Sequence, residues 1–243
     1  MGQNFLINED VLDEIIETAQ VKPDDVVLEV GPGLGILTIE LAKKAKKIIA
    51  VEKDKELCEI LQKILIDQRI NNVEIVNADI LKYKIENNNY KVVANIPYYL
   101  TSPLIRMFLE SENKPSEIIL MIQKEVAQRI CASPPKMSLL AVSVQFYAKP
   151  EIVSCVSKNS FYPVPKVDSA IVKITPQTAP EIDTKKFFGV VKRGFASKRK
   201  MLKNNISGIN FEKLNLNPNI RAENLTIDDW IKLYTILTNK NLL

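Results

Sequence analysis

The chain has 243 residues, of which 46% are apolar and 26% charged, and these values favour a globular protein with one ordinary domain and a smaller second one. The formal net charge of +4 is uneven: residues 1–180 hold 21 basic and 23 acidic side chains, whereas residues 181–243 hold 12 and 6, a net charge of +6. The sequence has no histidine and no apolar run near the roughly 20 residues that span a bilayer, which excludes histidine-dependent catalysis, histidine-ligated metals and a membrane-spanning helix.

Strand-like and helical patterns alternate along the first 176 residues. A leading helix is predicted over Glu9 to Ala19, with Asn8 as its N-cap. Strands are predicted over Val26 to Val30, Ile48 to Val51, Val73 to Val76, Val92 to Ile96, Ile118 to Ile122, Ile152 to Val156 and Ala170 to Ile174. Amphipathic helices are predicted over Leu34 to Ala45, Lys55 to Ile66 and Pro103 to Leu109. This alternation indicates an α/β fold, built from βαβ units around a parallel sheet.

A proline-bounded segment, Pro176 to Pro180, ends the alternating pattern. The remaining residues contain no strand-like run, and helices are predicted over Lys185 to Phe195, Lys198 to Ile206 and Ile227 to Leu237. We therefore expect a first domain over residues 1–177 and a small, basic, all-helical domain over residues 178–243. The positive charge of the second domain favours a polyanionic partner.

A glycine-rich turn connects the first predicted strand to a helix. Gly31, Gly33 and Gly35 have the spacing G-x-G-x-G, which allows backbone to approach a nucleoside closely. A dinucleotide fingerprint would place its third glycine at Ile36, so a nicotinamide cofactor is disfavoured. Glu52 and Asp79 follow the next two strands and could accept hydrogen bonds from a ribose diol and an adenine amino group. Two acids without a phosphate-binding lysine favour a nucleoside that lacks phosphates, namely S-adenosylmethionine, and no metal is expected.

The tetrapeptide Asn95-Ile96-Pro97-Tyr98 ends the fourth predicted strand. It offers an amide oxygen, a backbone carbonyl beside a proline and an aromatic face, which are the groups needed to hold an exocyclic amine. We expect the Asn95 oxygen and the Ile96 carbonyl to accept both amino hydrogens of an adenine N6, so that its lone pair can attack the cofactor's methyl group. Tyr98 would stack on the base, a contact worth about 1–3 kcal/mol. Phe161, in a proline-rich segment, could supply the opposite aromatic face.

With these motifs, the chain resembles the ribosomal RNA small-subunit adenine dimethyltransferase family (KsgA/RsmA) over nearly its whole length. The matching segments are Gly2 to Leu6, Glu29 to Thr38, Glu52, Asn77 to Asp79, Asn95 to Tyr98, Gln123 to Val126 and Phe161 to Ala170. The chain departs from the family pattern at Met137 to Val142, where relatives usually carry a tyrosine and an arginine, and at Tyr99, where many relatives carry asparagine.

The resemblance implies a Rossmann-like S-adenosylmethionine-dependent methyltransferase sheet of seven mostly parallel strands. It also implies dimethylation at N6 of two adjacent adenines in the 3′-terminal hairpin loop of small-subunit (16S) rRNA during small-subunit biogenesis. The implied cofactor contacts are Asn4, Leu6, Gly31, Glu52, Asp79 and Asn95, with S-adenosylhomocysteine as product. We further expect a cytoplasmic monomer, with three reduced cysteines, that acts on an immature 30S particle.

A cluster of cations lies in the predicted helical domain. Residues 192–203 contain no acid and include Lys192, Arg193, Lys198, Arg199, Lys200 and Lys203. Phe195, Met201 and Leu202 alternate with them and are expected to pack inward, so that the cations face solvent and contact RNA phosphates. Arg129 could add an RNA contact, or could pair with Glu125 at i,i+4 spacing.

Other functions share parts of this pattern. A large-subunit (23S) rRNA adenine methyltransferase of the macrolide-resistance type uses the same catalytic parts, but the long C-terminal domain and the Gln123 to Val126 segment favour the small-subunit enzyme. Nothing in the sequence resembles the target-recognition domain of a DNA adenine methyltransferase. A non-catalytic assembly or transcription factor on the same fold is disfavoured by the intact Glu52, Asp79 and Asn95.

Overall fold

The structure, a computed structural model, describes residues 4–86, 88–197 and 199–239. The chain divides into two compact units. The first, here called the sheet unit, comprises Met1–Ala127 and Lys149–Pro176, and the second, the helical unit, comprises Gln128–Ala148 and Gln177–Leu243. No helix of the described residues has both the length and the apolarity that crossing a membrane requires.

A seven-stranded sheet forms the centre of the sheet unit. The strands of the described residues are β1 (Phe5–Leu6), β2 (Val26–Val30), β3 (Lys47–Glu52), β4 (Val73–Asn77), β5 (Tyr90–Asn95), β6 (Glu117–Gln123), β7 (Ala148–Val156), β8 (Phe161–Tyr162) and β9 (Ser169–Pro176). The sheet has the order β4-β3-β2-β5-β6-β9-β7, with parallel pairing from β4 to β6 and an antiparallel β6–β9 pair. The α/β fold and all seven predicted strands are confirmed.

The central strands could be predicted from the sequence because they are continuous apolar runs. Both faces of a parallel sheet are covered, so its strands carry few polar residues. In β3, the residues from Ile48 to Val51 are all at most 2% exposed, and Ile118 to Ile122 in β6 are equally buried. One short pair was not predicted: β1 and β8 form a separate antiparallel ribbon, in which Leu6 lies opposite Phe161.

The helices of the described residues are α1 (Glu9–Ala19), α2 (Ile36–Ala42), α3 (Lys55–Asp67), α4 (Thr101–Glu110), α5 (Lys124–Ile130), α6 (Leu139–Gln145), α7 (Thr184–Gly194), α8 (Leu202–Asn205), α9 (Phe211–Leu214) and α10 (Ile227–Asn239). Asn8 caps α1 as predicted, because its Oδ1 accepts from the Val11 N–H at 3.2 Å. The predicted start of α2 at Leu34 was wrong by two residues, because Gly33 and Gly35 adopt positive φ angles of 57° and 85° that a helix does not allow.

The helical unit has its own apolar core. Trp230 of α10 and Phe187 of α7 are fully buried there, and the Phe187 ring stacks on Phe146 with centroids 4.7 Å apart. The sequence placed residues 128–148 in the first domain, whereas the structure places them in the helical unit. The physical reason is that Met137, Val142 and Phe146 are buried in this core.

The second predicted helix of this unit was too long. Only Leu202–Asn205 is helical, because the Leu202 N–H donates to the Ile220 carbonyl at 2.8 Å and the Asn205 amide reaches back to the Gly194 carbonyl at 2.7 Å. Leu202 is buried as expected, but Met201 is 37% exposed and does not pack inward. Lys198 and the Gly2-Gln3 pair lie outside the described residues.

The topology brings the sequence motifs to one edge of the sheet. In a parallel sheet, the carboxyl ends of the strands meet at the same edge, and ligands of open α/β folds bind outside it. Here these ends are Val30, Glu52, Asn77, Asn95 and Gln123. Because β9 runs antiparallel to β6, its first residue, Ser169, pairs with Gln123 and lies at this edge too.

Candidate active site

A cavity of about 1030 Å³ opens at the carboxyl edge of the sheet. Its size is at the top of the usual range for ligand pockets, about 300–1,000 Å³, so a nucleoside cofactor and a second base have room. The predicted residues that line it are Asn4, Leu6, Gly31, Gly33, Glu52, Asp79, Asn95, Ile96, Pro97, Tyr98 and Phe161. Of the residues predicted for the cofactor and the catalytic step, only Gly35 is absent from the lining.

The glycine turn borders this cavity. Gly31 and Gly33 have φ angles of 68° and 57°, in the left-handed region that favours glycine. The Gly31 N–H donates to the Val51 carbonyl at 2.9 Å, which fixes the turn against the neighbouring strand β3. A Cβ atom on Gly33 would lie 3.2 Å from the Phe5 ring, so the absence of a side chain lets β1 approach the turn closely.

Gly35 differs in its surroundings from the other two glycines of the turn. It is buried outside the cavity lining, and a Cβ atom there would lie 2.3 Å from Leu61 Cδ1 of α3. This glycine therefore allows α3 to pack closely against the start of α2. Helix packing and a positive φ angle of 85° both account for a glycine at this position.

Glu52 is held rigidly at the end of β3. Its carboxyl group is only 6% exposed, and its oxygens accept the Asp54 N–H at 3.0 Å and the Gly33 N–H at 3.4 Å. A carboxylate has about four acceptor positions, so two remain for a ligand. Glu52 thus ties the glycine turn to the strand end and still presents acceptors to the cavity.

Asp79 carries a partner that the sequence did not reveal. Its Oδ2 pairs with Lys53 Nζ at 3.1 Å, and its Oδ1 accepts the Leu81 N–H at 3.1 Å. The hydrogen bond from Lys53, with that from Leu81, lowers the pKa of the Asp79 carboxyl below its ordinary value. The group is therefore ionised at neutral pH, and it keeps acceptor capacity toward the cavity.

Glu29 is a cavity residue that the sequence analysis did not assign. It is 2% exposed, and burial raises its pKa from 4.5 to about 8, while the nearby Glu52 charge adds to the rise. The nearby Thr38 hydroxyl lowers the pKa of Glu29 and so opposes this rise. Its geometry does not meet the criteria of a hydrogen bond, and Glu29 Oε2 has no hydrogen-bond partner among the described residues. The available signal was an acid inside the otherwise apolar run from Val26 to Val30.

The proposed methyl-acceptor side presents free oxygen acceptors. Within the part of the chain that the structure describes, no hydrogen bond engages the Asn95 side chain or the Ile96 carbonyl. Tyr98 is half-buried, its hydroxyl lies 2.9 Å from Ser169 Oγ, and its carbonyl accepts the Thr101 hydroxyl at 3.0 Å. Asn95 and Ile96 both line the cavity, and Ile96 is only 2% exposed, whereas the hydroxyl of Tyr98 beside them is engaged by Ser169.

The aromatic residues around the cavity differ in exposure. Phe161, expected to face the base, is only 2% exposed and belongs to the sheet-unit core, although it also lines the cavity. Tyr99 is 76% exposed at the cavity, and Tyr162, next to Phe161 on β8, is 70% exposed. Among the described residues, no cluster of three or more cysteine or acidic side chains could hold a metal ion.

Five of the predicted RNA-contacting residues lie exposed in the helical unit: Lys192, Arg193, Arg199, Lys200 and Lys203. Lys192 and Arg193 project from α7, whose opposite face is buried. Arg129 is exposed as well, and the structure shows no ion pair between it and Glu125, both of which are described. The departing segment at Met137 to Val142 packs into the core of this unit instead of forming a surface.

Comparisons with known proteins identify the family of the chain. A profile of the ribosomal RNA adenine dimethylase family matches residues 1–239. Ribosomal RNA small subunit methyltransferase A of Dehalococcoides mccartyi is 44% identical, over 96% of this chain and 86% of the relative. The protein of the same name from Clostridium botulinum is 40% identical, over 96% and 91%.

Two solved structures resemble both units of the chain. A dimethyladenosine transferase from Plasmodium falciparum has a TM-score of 0.87 at 29% identity, over 98% of each chain. The 23S rRNA methyltransferase ErmE has a TM-score of 0.82 at 27% identity, over 97% of this chain and all of the other. By its sequence motifs, its fold and its full-length match, the chain belongs to the ribosomal RNA adenine dimethylase family.

Proposed function

We propose that this protein uses S-adenosylmethionine to dimethylate N6 of two adjacent adenines in the 3′-terminal hairpin loop of small-subunit rRNA. One observation carries the proposal: Asn95 and Ile96, whose oxygen acceptors have no hydrogen-bond partner among the described residues, line the same cavity as the glycine turn and the acids Glu52 and Asp79. Relatives at 38–44% identity that are named for the small subunit support this substrate over the large-subunit alternative.

The cofactor half of the cavity fits a nucleoside linked to an amino acid. Glu52 would accept the ribose hydroxyls, and ionised Asp79 would accept the adenine amino group. The buried Glu29 carboxyl has an orphan oxygen, and a cationic ligand in the cavity would favour its ionised form. Asn4 and Leu6, assigned only by resemblance, also line this cavity. The bound cofactor would supply a methyl group activated on a sulfonium.

The acceptor half of the cavity would prepare the adenine N6 to attack the methyl group of the cofactor. Hydrogen bonds from both amino hydrogens to the Asn95 oxygen and the Ile96 carbonyl favour a pyramidal nitrogen with an exposed lone pair. Tyr98 would hold the base by stacking, which offsets the few kcal/mol needed to unstack it. Phe161 would limit the opposite side of the cavity. The alkylated amine is strongly acidic and can lose its proton to water, so no histidine is required.

The RNA would be held by the basic surface of the helical unit, together with Arg129. Exposed cations contact phosphates without reading sequence, so this surface would supply affinity while the cavity supplies base selection. We place the protein in the cytoplasm as a monomer, with an immature 30S particle as its substrate. The proposed RNA contact is supported by the +6 charge of residues 181–243 and by the absence of acids from residues 192–203.

The decisive experiment is methyl transfer from labelled S-adenosylmethionine to immature small subunits, followed by nucleoside digestion. We expect labelled dimethyladenosine in the small-subunit RNA. Large subunits from the same cells are the parallel substrate, and label there instead would favour the 23S alternative. Absence of label from both RNAs would contradict the proposed enzyme.

Replacement of Asn95 by alanine tests the proposed chemistry. We expect Asn95→Ala to reduce transfer by at least about 100-fold, because loss of one preorganised hydrogen-bonding group, as measured for an oxyanion-hole donor, costs about 2.7–4 kcal/mol. Asn71→Ala, at an exposed asparagine outside the cavity, is the matched control and should retain activity. Circular dichroism would verify folding, and robust turnover by folded Asn95→Ala would contradict the mechanism.

A further inference from the structure

A buried serine contacts the aromatic residue of the acceptor site. Ser169, the first residue of β9, is fully buried and pairs with Gln123 across the sheet. Its Oγ lies 2.9 Å from the Tyr98 hydroxyl. No other side-chain hydrogen bond of the described residues uses this oxygen. The two residues are 71 positions apart in the sequence, so the contact exists only because β9 returns beside β6.

The direction of this hydrogen bond follows from satisfying both hydroxyl groups. If Tyr98 donated to Ser169, the buried Ser169 proton would have no acceptor among the described residues, and an unpaired buried donor is costly. If Ser169 donates, its proton is satisfied, and the proton left without a protein acceptor belongs to Tyr98, which is only half-buried, so that this choice costs less. We therefore assign Ser169 as the donor.

Tyr98 is thereby held at both ends. At the backbone end, its carbonyl accepts the hydroxyl of Thr101 at 3.0 Å and also the Thr101 N–H, where α4 begins. At the ring end, Ser169 fixes the phenol oxygen. A tyrosine side chain has two rotatable bonds, so anchors at the backbone and at the hydroxyl leave the ring a single orientation.

We propose that Ser169 is a positioning residue, which acts through Tyr98 to hold its ring in the plane that stacks on the target adenine. The inference rests on the proposed function and deepens it, because it assigns to the strand β9 a part in base binding. Tyr98 lines the cavity and Ser169 does not, so we expect Ser169 to touch neither ligand.

A double-mutant cycle tests this role. Wild type, Ser169→Ala, Tyr98→Phe and the double variant would be compared for kcat and KM in methyl transfer. We expect each single variant to lose about 3- to 10-fold in kcat/KM for RNA, the value of one hydrogen bond, with an unchanged KM for the cofactor. The double variant should match the single variants, because both changes remove the same contact.

Two further variants separate positioning from general damage. Ser169→Cys keeps a weak donor and should show intermediate activity. Ser154→Ala makes the same change at a buried hydroxyl of β7 that has no partner among the described residues, and it should behave as wild type. Full activity of Ser169→Ala, or additive losses in the double variant, would overturn the proposal.

A measurement without RNA distinguishes failure of this inference from failure of the proposed function. In protein labelled with ¹³C at tyrosine Cζ, the Tyr98 signal would be assigned from Tyr98→Phe. Ser169→Ala should shift that signal and leave the other tyrosine signals in place. An unmoved Tyr98 signal would refute the contact itself, whatever RNA the wild-type protein methylates.

Discussion

Among the acidic side chains that line the cavity, Asp79, Glu52 and Glu29 differ in their burial and in their hydrogen-bond partners. Asp79 is kept ionised by Lys53, and Glu52 accepts two backbone N–H groups. Glu29 has neither a cation nor a full set of donors, and its raised pKa means that it is largely protonated at neutral pH in the ligand-free protein. The site therefore holds one carboxyl group whose ionisation a cationic ligand would promote.

The raised pKa of Glu29 predicts a pH-dependent stability. Its value of about 8 exceeds the ordinary 4.5, so the native state binds this proton more tightly than the unfolded state. Its contribution to the free energy of unfolding is complete below about pH 4.5 and is lost as the pH rises through 8. The loss approaches about 1.4 kcal/mol per pH unit between these values. Glu29→Gln lacks this proton equilibrium and should show a flatter dependence in urea unfolding at pH 5, 7 and 9.

The matched control for this measurement is Glu59→Gln, at an exposed glutamate of α3. Its stability should follow the wild-type pH dependence, because the Glu29 carboxyl is unchanged in this variant. The difference between wild type and Glu29→Gln should grow from pH 5 to pH 8 and then remain constant. If the free energies of unfolding of wild type and Glu29→Gln changed in parallel with pH, Glu29 would not be the titrating group.

The sequence identified the residues that now line one cavity wherever a motif lies within one short segment. Asn95 to Tyr98, the glycine turn and the acids at strand ends are such segments, and the fold brings them together. Ser169, Lys53 and Glu29 were missed because their roles depend on contacts or burial that only the folded sheet creates. The sequence also contained no sign that Gly35, unlike Gly31 and Gly33, lies outside the cavity lining and packs against Leu61.

At the scale of elements, a cation joins several elements at the amino edge of the sheet. Lys91 of β5 is 12% exposed, and its Nζ donates to the Ala19 and Gln20 carbonyls at the end of α1, each at 3.0 Å. The same nitrogen pairs with Asp25, which precedes β2, at 3.2 Å and with Glu117 of β6 at 3.4 Å. This network lies at the edge opposite the cavity, so it stabilises the sheet without touching the site.

Replacement of Lys91 should destabilise the protein. Lys91→Met removes the charge and leaves Asp25 and Glu117 without this partner, for which we expect a loss of about 2–4 kcal/mol in the free energy of unfolding. Lys47→Met breaks the exposed Lys47–Glu74 pair and should cost less than about 1 kcal/mol. Guanidinium unfolding of both variants measures these values, and equal losses would contradict a special role for the network.

The elements were predictable to the extent that local pattern determines them. Buried parallel strands are continuous apolar runs, and α1 has a polar N-cap and a regular apolar face. The β1–β8 ribbon has two residues in each strand, too few for any periodicity. The helix predicted over Lys198 to Ile206 failed because tertiary hydrogen bonds from Leu202 and Asn205 replace local ones.

At the scale of the whole molecule, charge and chemistry are divided along the chain. Residues 1–180 have a net charge of −2 and contain the cavity, whereas residues 181–243 have a net charge of +6. The helical unit has a separate apolar core, so its surface can change without disturbing the cavity lining. The charge division is visible in the sequence. The contribution of residues 128–148 to the helical unit is not, because a segment that connects two strands, here β6 and β7, gives no local sign of its packing partner.

Reversal of two charges tests whether the cluster itself binds RNA. Arg199→Glu combined with Lys200→Glu should weaken substrate RNA binding and reduce the slope of log affinity against log salt by about 1.4–1.8, because two phosphate contacts are lost. Cofactor affinity should remain unchanged, since neither residue lines the cavity. Lys213→Glu combined with Lys232→Glu makes the same change in net charge at exposed positions of α9 and α10, and should have a smaller effect. Filter binding over a salt series measures both pairs, and equal effects would mean that RNA responds to overall charge rather than to this cluster.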